Sequence, residues 1–327
     1  MNLNEIARKS FLSLYPFNFN TVSGRPKMLQ EIDSSLSGIN VANEDIQKFI
    51  DTTLTEILQE EVNHCKYAIY HEGICERFGI WVGIFLSTLI QNSTEEEMIL
   101  NVESLPMQRY KPCINFNRPL EYLCSNLSKK KITIVANTGK FFDSRIRGPD
   151  WSAPTFTGVG NYFGSGLKGA ELVLEGHARS YVGYGAQSGK ITIRGDAGGY
   201  VGSMLRGADI VVEGDVSSYL GQDAEAGSIT VKGDALHCVG KRLKGAKIFV
   251  EGNVGEQIAN RSESGEIHVG GKIKGFGFGV NRKVIITESG KKYWPTLKTW
   301  FKKLGQPDPK TTNVYHPNVL LSSDIEW

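Results

Sequence analysis

Acidic, histidine and cysteine side chains that can bind metals occur close together in one stretch of the sequence. Glu61 and His64 are three residues apart, and His71 and Cys75 are four residues apart. On a helix these spacings place both members of a pair on one face, as metal ligands require. A di-iron site needs two Glu-x-x-His motifs, and the sequence contains only the copy at Glu61 and His64. We therefore predict scattered polar residues on amphipathic helices, with no metal and no other cofactor bound by this chain.

The remaining histidines do not form a recognisable catalytic set. His177, His237 and His268 fall in a repeated region but at three different positions of the repeat, so they are not expected to converge. A glutaminase with an N-terminal nucleophile needs cysteine at position 2, where this chain has Asn2. The glycines repeat with no helix after them, unlike those of a nucleotide-binding loop. We predict no catalytic residues, and a chain that is not catalytic by itself.

The composition is that of a folded protein and argues against two classes of function. Lysine and arginine number 37, and aspartate and glutamate 35, without the basic excess of a nucleic-acid-binding protein. The longest apolar run, residues 78–90, is too short for a membrane-spanning helix, which needs about 20 residues. The cysteines show no paired spacing such as CxxC, and the N-terminus lacks a signal-peptide pattern. We therefore predict reduced thiols and a cytoplasmic location.

Glycine marks a repeat that organises the middle of the chain. It recurs every 19 residues at Gly164, Gly183, Gly202, Gly221 and Gly240, with Ala259 in the sixth place. A second glycine follows each of these positions after twelve residues. Between them, alternating aliphatic residues face one side of a strand. The two resulting core columns are Leu172, Ile191, Ile210, Ile229, Ile248 and Ile267, and Leu174, Ile193, Val212, Val231, Val250 and Val269.

Charge and side-chain size also vary regularly along the repeat. An outward column alternates in sign, as expected where parallel strands stack about 4.8 Å apart: Glu175, Arg194, Glu213, Lys232 and Glu251. Large and small residues alternate in the interior: Leu167, Leu205 and Leu243 against Ala186, Ala224 and Ser262. A large side chain over a small one fills a narrow core, so the structural unit is predicted to be two coils, or 38 residues.

Two further columns cover the turns of the repeat. Tyr181, Tyr200 and Tyr219 occupy one position and are expected to stack along a wall. An aspartate column follows the second glycine of the repeat: Asp196, Asp215 and Asp234. Gly-Asp favours turns, because it provides positive φ and local hydrogen bonds. Calcium binding is the alternative, but the sequence lacks the nonapeptide calcium pattern of some β-helices, so we interpret the aspartates as turn residues.

These features predict a mainly β protein built around a right-handed parallel β-helix, with 19-residue coils and a 38-residue paired repeat. Right-handedness is favoured because a left-handed β-helix repeats every six residues with aliphatic anchors. The β-helix is predicted to span residues 130–288. Its first strand is expected within residues 130–137 and its last at 283–288, with residues 138–163 interrupting the register.

Helices are predicted on both sides of the β-helix. Residues 1–129 are expected to form a mainly α-helical domain, with one helix opening at Asn43. A second helix carries a buried stripe: Ile80, Trp81, Ile84, Phe85 and Leu89. Residues 289–327 are predicted to form an amphipathic capping helix over 291–304 and an extended tail. Capping is favoured over membrane-surface binding because a solenoid requires capped ends.

The repeat resembles the GXGXG family of β-helices. The GxxGxxxG motif of that family stands here as Gly195, Gly198 and Gly202, and nearly as Gly252, Gly255 and Ala259. In other coils the middle glycine is replaced by Arg179, Ser217 or Leu236. The family includes the C-terminal β-helix of the glutamate synthase large subunit. It also includes a β-helical component of formylmethanofuran dehydrogenase and of the related formyltransferase/hydrolase complex.

The resemblance implies a structural domain that holds catalytic domains or subunits together. We therefore expect a non-catalytic scaffold subunit of an oxidoreductase or amidotransferase complex. Its expected partners are glutaminase-, synthase- or amidohydrolase-like subunits, or further copies of the chain. The wall with Tyr181, Tyr200 and Tyr219 is the expected partner surface, because aromatic residues are enriched at interfaces.

Three alternatives to this interpretation stay open. The tyrosines could pack beneath the N-terminal helices of the same chain. The protein could be an enzyme whose active site lies in the N-terminal domain. It could also be a β-helix that binds polysaccharide through the tyrosine rings.

Overall fold

The computed structural model shows helices followed by one long parallel sheet. It describes residues 3–13, 24–54, 56–57, 68–103, 120, 122–136, 159–281, 283–289 and 291–292. The helices are α1 (Leu3–Ser13), α2 (Gly24–Leu36), α3 (Asn43–Lys48) and α4 (Ala68–Asn92), with a π-helical turn (Phe49–Thr53) directly after α3. The helix predicted to open at Asn43 is therefore confirmed.

The longest helix, α4, supplies the centre of the helical core. All five residues of the predicted stripe are buried: Ile80, Trp81, Ile84, Phe85 and Leu89. The Trp81 ring packs against Phe11 and Phe85, at centroid distances of 5.2 and 4.9 Å. Its indole N–H donates to Ser10 Oγ at 3.1 Å, so the polar atom of this buried side chain is satisfied.

Within the residues that the structure describes, nine strands run parallel in chain order and form a single sheet. They are β1 (Glu97–Asn101), β2 (Lys131–Val135), β3 (Lys168–Glu175), β4 (Ser188–Ile193), β5 (Arg206–Val212), β6 (Ala226–Val231), β7 (Lys244–Val250), β8 (Ser264–Val269) and β9 (Val284–Glu288). A short tenth strand, β10 (Lys291–Lys292), pairs antiparallel with β9.

The register between neighbouring strands confirms the 19-residue repeat as a parallel β-solenoid. Ile191 pairs with Ile210, and Ile210 pairs with Ile229. A second line of contact, made of isolated parallel bridges, runs down another side of the coils from Val159 to Ile273. The strands predicted within residues 130–137 and at 283–288 are confirmed as β2 and β9. The handedness of the coil stays a prediction.

Side chains fill the interior of the solenoid. Both aliphatic core columns are buried, and so is the column in which large and small residues alternate. The two-coil unit is also visible in the backbone, because a register shift recurs in every second strand pair: at Lys168/Glu171, Arg206/Asp209 and Lys244/Lys247. The predicted 38-residue unit is therefore confirmed in both packing and strand register.

The glycines spaced 19 residues apart form a corner that faces the core. Gly183 has a φ of +63°, and a Cβ there would lie 2.5 Å from Cδ1 of Ile210. Glycine thus meets two requirements at once, a left-handed backbone and no side chain above the isoleucine column. Cys124 and Ala259 occupy this corner near the two ends, also with positive φ of 59° and 56°.

The N-terminal end of the sheet is covered by α3. The side-chain amide of Gln47 accepts a hydrogen bond from the backbone N–H of Asn101 at 2.8 Å and donates one to its carbonyl oxygen at 2.9 Å. The amide thus replaces a neighbouring strand at the edge of β1, where unpaired backbone groups would invite another chain. At the other end, β10 pairs with the edge of β9.

The flanks of the solenoid differ from their prediction in three respects. The sheet begins at β1, upstream of the start predicted at residue 130. The register resumes before residue 163, because Val159 already bridges Ala178. Lys291 and Lys292, predicted to begin the capping helix, form β10, where their backbone groups pair with the edge of β9. Residues 293–327, with the rest of that helix and the tail, lie outside the described residues.

We expect Gly183→Ala and Gly185→Ala to differ in cost, although both glycines have a φ of +63°. At Gly185 no atom lies within 4 Å of the added Cβ, so the loss reflects the left-handed backbone alone, about 1–2 kcal/mol. At Gly183 the Cβ also meets Ile210, which adds about 1–3 kcal/mol of overpacking. Urea unfolding of both variants measures the difference, and equal losses would contradict the core contact at Gly183.

Candidate functional site

The structure brings the predicted tyrosine column together as a stack. The rings of Tyr181 and Tyr200 have centroids 4.7 Å apart at an interplanar angle of 10°, and those of Tyr200 and Tyr219 are 4.6 Å apart at 6°. Carbon atoms in contact lie about 3.5–4.0 Å apart, so the rings are offset, as aromatic pairs prefer. Both faces of Tyr200 are covered, so the exposed part of this half-buried ring is its edge.

The stack is longer than the sequence indicated. Tyr162 stacks on Tyr181 at 4.7 Å and 9°, and Tyr122 stacks on Tyr162 at 4.6 Å and 2°. Tyr162 stands 19 residues before Tyr181, so its place in the column was visible in the sequence and was overlooked. Residues 122–124 repeat the Tyr-x-small pattern of residues 162–164, but Tyr122 lies 40 residues before Tyr162, so a search at 19-residue spacing misses it. We call the five stacked residues the tyrosine wall: Tyr122, Tyr162, Tyr181, Tyr200 and Tyr219. At about 4.7 Å per coil the wall spans roughly 19 Å.

The tyrosine wall is held in an unusual backbone conformation. Each of its tyrosines has a left-handed φ, between 61° and 67°. This conformation costs a non-glycine residue about 1–2 kcal/mol. Each stacked aromatic pair contributes roughly 0.5–1.5 kcal/mol, so stacking offsets much of that cost. The strain therefore persists because backbone hydrogen bonds between coils and the ring stack hold each tyrosine from both sides.

Other side chains border the tyrosine wall. Tyr184 contacts two of its rings edge-on, at centroid distances of 5.9 and 6.0 Å. The Tyr184 hydroxyl donates to the Met204 sulfur at 3.0 Å, and Met204 is 42% exposed. At the C-terminal end, Lys241 Nζ lies 5.0 Å from the centroid of Tyr219, a cation–π contact. The wall thus runs from its aromatic centre to a positively charged end.

The hydroxyls of Tyr181 and Tyr219 stay protonated at neutral pH. Burial, followed by the neighbouring Tyr162, Tyr200 and Tyr184, raises the pKa of Tyr181. Interaction with Cys238, followed by Tyr200, raises the pKa of Tyr219. These two hydroxyls can therefore both donate and accept a hydrogen bond.

A bidentate ion pair joins Asp223 and Arg242, which stand two residues after the corner glycines Gly221 and Gly240. Arg242 donates from Nε to Asp223 Oδ1 at 2.8 Å and from Nη2 to Oδ2 at 2.6 Å. Asp223 is buried, and hydrogen bonding from Arg242 is the main cause that lowers the pKa of its carboxyl. The pair joins two neighbouring coils, since the residues are 19 positions apart.

The outer face of the sheet carries charges that are paired between coils. Arg194 lies 3.6 Å from Glu175 and 2.7 Å from Glu213, and Lys232 lies 3.1 Å from Glu213. The predicted ladder is therefore confirmed from Glu175 to Lys232. The hydrogen bond from Lys232 is the largest cause that lowers the pKa of Glu213. Exposed pairs of this kind are each worth about 0–1 kcal/mol, so the face is suited to solvent.

A second column of alternating charge on this face was missed from the sequence. It includes Glu97, Lys131, Glu171, Lys190 and Asp209, in register across β1 to β5. Lys131 Nζ lies 3.1 Å from Glu97 Oε1. From Glu171 onward the sequence shows this column at 19-residue spacing. There, each of its residues stands four positions before a residue of the predicted ladder that begins at Glu175.

The aspartate column forms a hydrogen-bonded ladder between coils. The backbone N–H of Asp215 donates to Asp196 Oδ1 at 2.8 Å, and that of Asp234 donates to Asp215 Oδ1 at 2.8 Å. The ladder begins at His177, whose Nδ1 accepts from Asp196 at 2.9 Å. The prediction of hydrogen bonds local to each turn is therefore wrong. The register places each aspartate carboxylate beside the backbone N–H of the aspartate in the next coil. The carboxylate therefore accepts from that N–H and not from a donor in its own turn.

The glycines of the family motif occupy positions where neighbouring coils approach closely. They are Gly195, Gly198, Gly202, Gly252 and Gly255. A Cβ on Gly195 would lie 2.7 Å from the carbonyl oxygen of Gly176, and one on Gly255 would lie 2.6 Å from that of Leu236. A Cβ on Gly202 would collide with the isoleucine column. Gly195, like the other glycines twelve residues after a corner glycine, was predicted to supply a positive φ. Its role is instead to let the backbones of two neighbouring coils approach closely.

The side chains predicted from the sequence as possible metal ligands lie outside the part of the chain that the structure describes. Glu61 and His64 lie outside the described residues, and of His71 and Cys75 only the backbone on α4 is described. Within the ranges that the structure describes, no group of three His, Cys, Asp or Glu residues could hold a metal ion. Cys124 and Cys238 are buried free thiols. None of the described helices is long and apolar enough to cross a membrane.

No protein-family model and no curated protein matches the sequence. The resemblance to the GXGXG family therefore stays a prediction. Three features of the structure bear on the function: the tyrosine wall, the paired charges of the sheet face and the filled interior.

Replacing Asp223 with Asn should destabilise the protein in a pH-dependent manner. The pKa of Asp223 is lowered by folding, so the pair with Arg242 stabilises fully above the unfolded value of about 3.9. The stabilisation is lost as the pH falls through the folded pKa. We expect the free energy of unfolding to fall by about 1 kcal/mol at pH 7 and by less at pH 3. Solvent screening keeps the effect small, because the Arg242 side chain is 43% exposed.

Urea unfolding at the two pH values measures this effect. Glu256→Gln is the matched control, because it removes an exposed pair with Lys274 and should change little at either pH. An Asp223→Asn loss of equal size at pH 7 and pH 3 would show that the ion pair is not its cause.

Proposed function

We propose that this chain is a non-catalytic β-solenoid scaffold subunit that binds catalytic protein subunits through its tyrosine wall. The observation that carries the proposal is a rigid aromatic wall on the outside of a solenoid whose interior is full. The wall offers a surface for a partner, whereas the interior offers no place for a substrate in the described coils.

The packing of the core supports a role on the outside. In the described coils the isoleucine column, for example Ile191, Ile210 and Ile229, has no exposed surface. The corner glycines bring the backbone directly against these side chains. Protein interiors packed in this way leave few voids larger than a water molecule.

The chemistry of the tyrosine wall supports a protein partner. Aromatic residues, methionine and arginine are enriched at interfaces, and the wall combines stacked tyrosines with the exposed Met204 and the nearby Arg242. The rings are already fixed by stacking, so binding would immobilise few additional side-chain torsions. The hydroxyls of Tyr181 and Tyr219 would serve as both donors and acceptors for polar groups of the partner.

The position of the helices favours a separate partner over the chain's own helices. Among the described elements, α3 lies against β1 at the N-terminal end of the sheet, and α4 reaches Tyr122 at the N-terminal end of the wall, where Ser87 Oγ donates to its carbonyl oxygen at 3.1 Å. Tyr181, Tyr200 and Tyr219 lie several coils away and keep exposed edges. The stacking also argues against the polysaccharide alternative, because sugars pack on ring faces and these faces are covered by neighbouring rings.

The finer part of the proposal follows from the resemblance to the GXGXG family. By that resemblance the coil is right-handed, the N-terminal part is a helical domain and the C-terminal part caps the solenoid. The assembly would be an oxidoreductase or amidotransferase complex in the cytoplasm, with glutaminase-, synthase- or amidohydrolase-like partners that hold any cofactor. A homo-oligomer is the alternative occupant of the wall. The closely packed motif glycines Gly195, Gly198 and Gly202 support this part of the proposal.

Replacing Tyr200 and Tyr219 together with Ser should abolish co-purification of the partner from a native extract. The same double replacement with Phe keeps the ring stack and removes the hydroxyls, so it should weaken co-purification with a smaller change in melting temperature. Affinity capture followed by mass spectrometry and a melting curve measures both effects.

The matched control is Thr192→Ser together with Thr230→Ser on the outer face of the sheet, which should retain the partner. Full retention of the partner by the serine variant of the wall would refute partner binding there. A wild-type chain that is captured with no other protein, and shows no self-association, would refute the scaffold function as a whole.

A further inference from the structure

Three side chains on the outer sheet face form a hydrogen-bonded series in the last coils. Thr287 on β9 pairs with His268 on β8, and its Oγ1 lies 3.0 Å from His268 Nδ1. The other ring nitrogen, Nε2, lies 3.1 Å from Oε2 of Glu266. A hydroxyl, an imidazole and a carboxylate therefore follow one another in the order required for general-base activation of an alcohol.

The carboxylate determines which ring nitrogen carries the proton. Hydrogen bonds from His268, and then from Lys247, lower the pKa of Glu266, so at neutral pH the carboxylate is ionised and can only accept. In the neutral imidazole, the proton must then lie on Nε2, where it is donated to Glu266. Nδ1 keeps its lone pair, and the hydroxyl of Thr287 must donate to it.

Neighbouring residues hold this arrangement in place. The Phe249 ring stacks on the His268 imidazole, with centroids 4.9 Å apart and an interplanar angle of 8°. Lys247 Nζ lies 3.1 Å from Oε1 of Glu266 and fixes the carboxylate. The side chains of His268 and Glu266 are each 31% exposed, so a small molecule in solution can reach them. Imidazole and carboxylate are thus preorganised and accessible at the same time.

The outer face also contains threonines that lack such a neighbour. Thr192 and Thr230 lie in the same column as Thr287, each between apolar residues of the adjoining strands. All three threonines point outward from a strand and are half-buried. They differ in the residue beside the hydroxyl, which makes Thr192 and Thr230 internal controls for the effect of the imidazole.

We propose that Thr287 is an acyl-accepting nucleophile for small activated esters or thioesters, with His268 as its general base and Glu266 as the residue that orients the base. In the transfer step, Thr287 Oγ1 bonds to the acyl carbon while the bond from that carbon to the leaving oxygen or sulfur breaks. The hydroxyl proton passes to His268 Nδ1 and then to the leaving group. The products are the acyl ester of Thr287 and a free alcohol or thiol.

The position of the site limits the acyl donor. The three residues lie on the outer face of the sheet, and each is only partly exposed. The donor must therefore be small and already activated. This inference goes beyond the scaffold function and does not depend on it, because the site lies on the sheet face and the partner surface is the tyrosine wall.

Acetylation of the wild-type protein by p-nitrophenyl acetate tests the proposal. The rate of acetylation of each threonine is measured by peptide mass spectrometry over time. We expect Thr287 to react about 100-fold faster than Thr192 and Thr230 in the same molecule, the lower end of the usual gain from general-base catalysis.

Variants separate this proposal from ordinary surface reactivity. His268→Gln should reduce the rate at Thr287 to that of the control threonines, and Glu266→Gln should reduce it less. The matched control is His237→Gln, which replaces a histidine outside the site and should leave the rate unchanged. Equal rates at the three threonines, acetylation of His268 in place of Thr287, or a Thr287 rate unaffected by His268→Gln would each overturn the proposal. None of these outcomes bears on co-purification of a partner.

Discussion

The 19-residue register between coils is the constraint on which the rest of the structure depends. From β3 to β9 each coil returns the chain to the same point one coil further on, so outside the register shifts a strand residue meets the residue 19 positions away. Where backbones approach closely, as at Gly195, a side chain does not fit. Where the chain turns toward the core, as at Gly183, left-handed backbone and core contact again require glycine. A shift of one residue would break all these contacts together, so the register is strongly specified.

The same register turns single residues into continuous surfaces. One tyrosine per coil becomes a stack whose pairing energy offsets its left-handed backbone, and one charge per coil becomes a ladder of compensated pairs. The two surfaces differ in what they offer. The sheet face carries charges that are already paired with each other, whereas the tyrosine wall presents neutral hydroxyls and apolar ring edges. This contrast is the physical reason for assigning partner binding to the wall.

The sequence was informative wherever successive coils followed one regular pattern, as in the six aliphatic residues of the isoleucine column and the five alternating charges of the ladder. It failed at Tyr122, where the spacing changes to 40 residues, whereas Tyr162 keeps the 19-residue spacing to Tyr181 and was overlooked. It also gave the wrong partner for Asp196, since a turn and a ladder between coils favour the same residue types. The pairing of His268 with Thr287 was not recognised, because residues of several types share their column and no single type marks it.

Site-specific photo-cross-linking shows which surface contacts another protein in the native assembly. A benzophenone amino acid replaces Tyr200 on the tyrosine wall or, in a second variant, Thr192 on the outer sheet face. The mass of each cross-linked product identifies what lies within reach. The scaffold function predicts a cross-link to another protein subunit from position 200 and none from position 192. Cross-links from position 200 that stay within the chain, or a partner reached from position 192 alone, would contradict it.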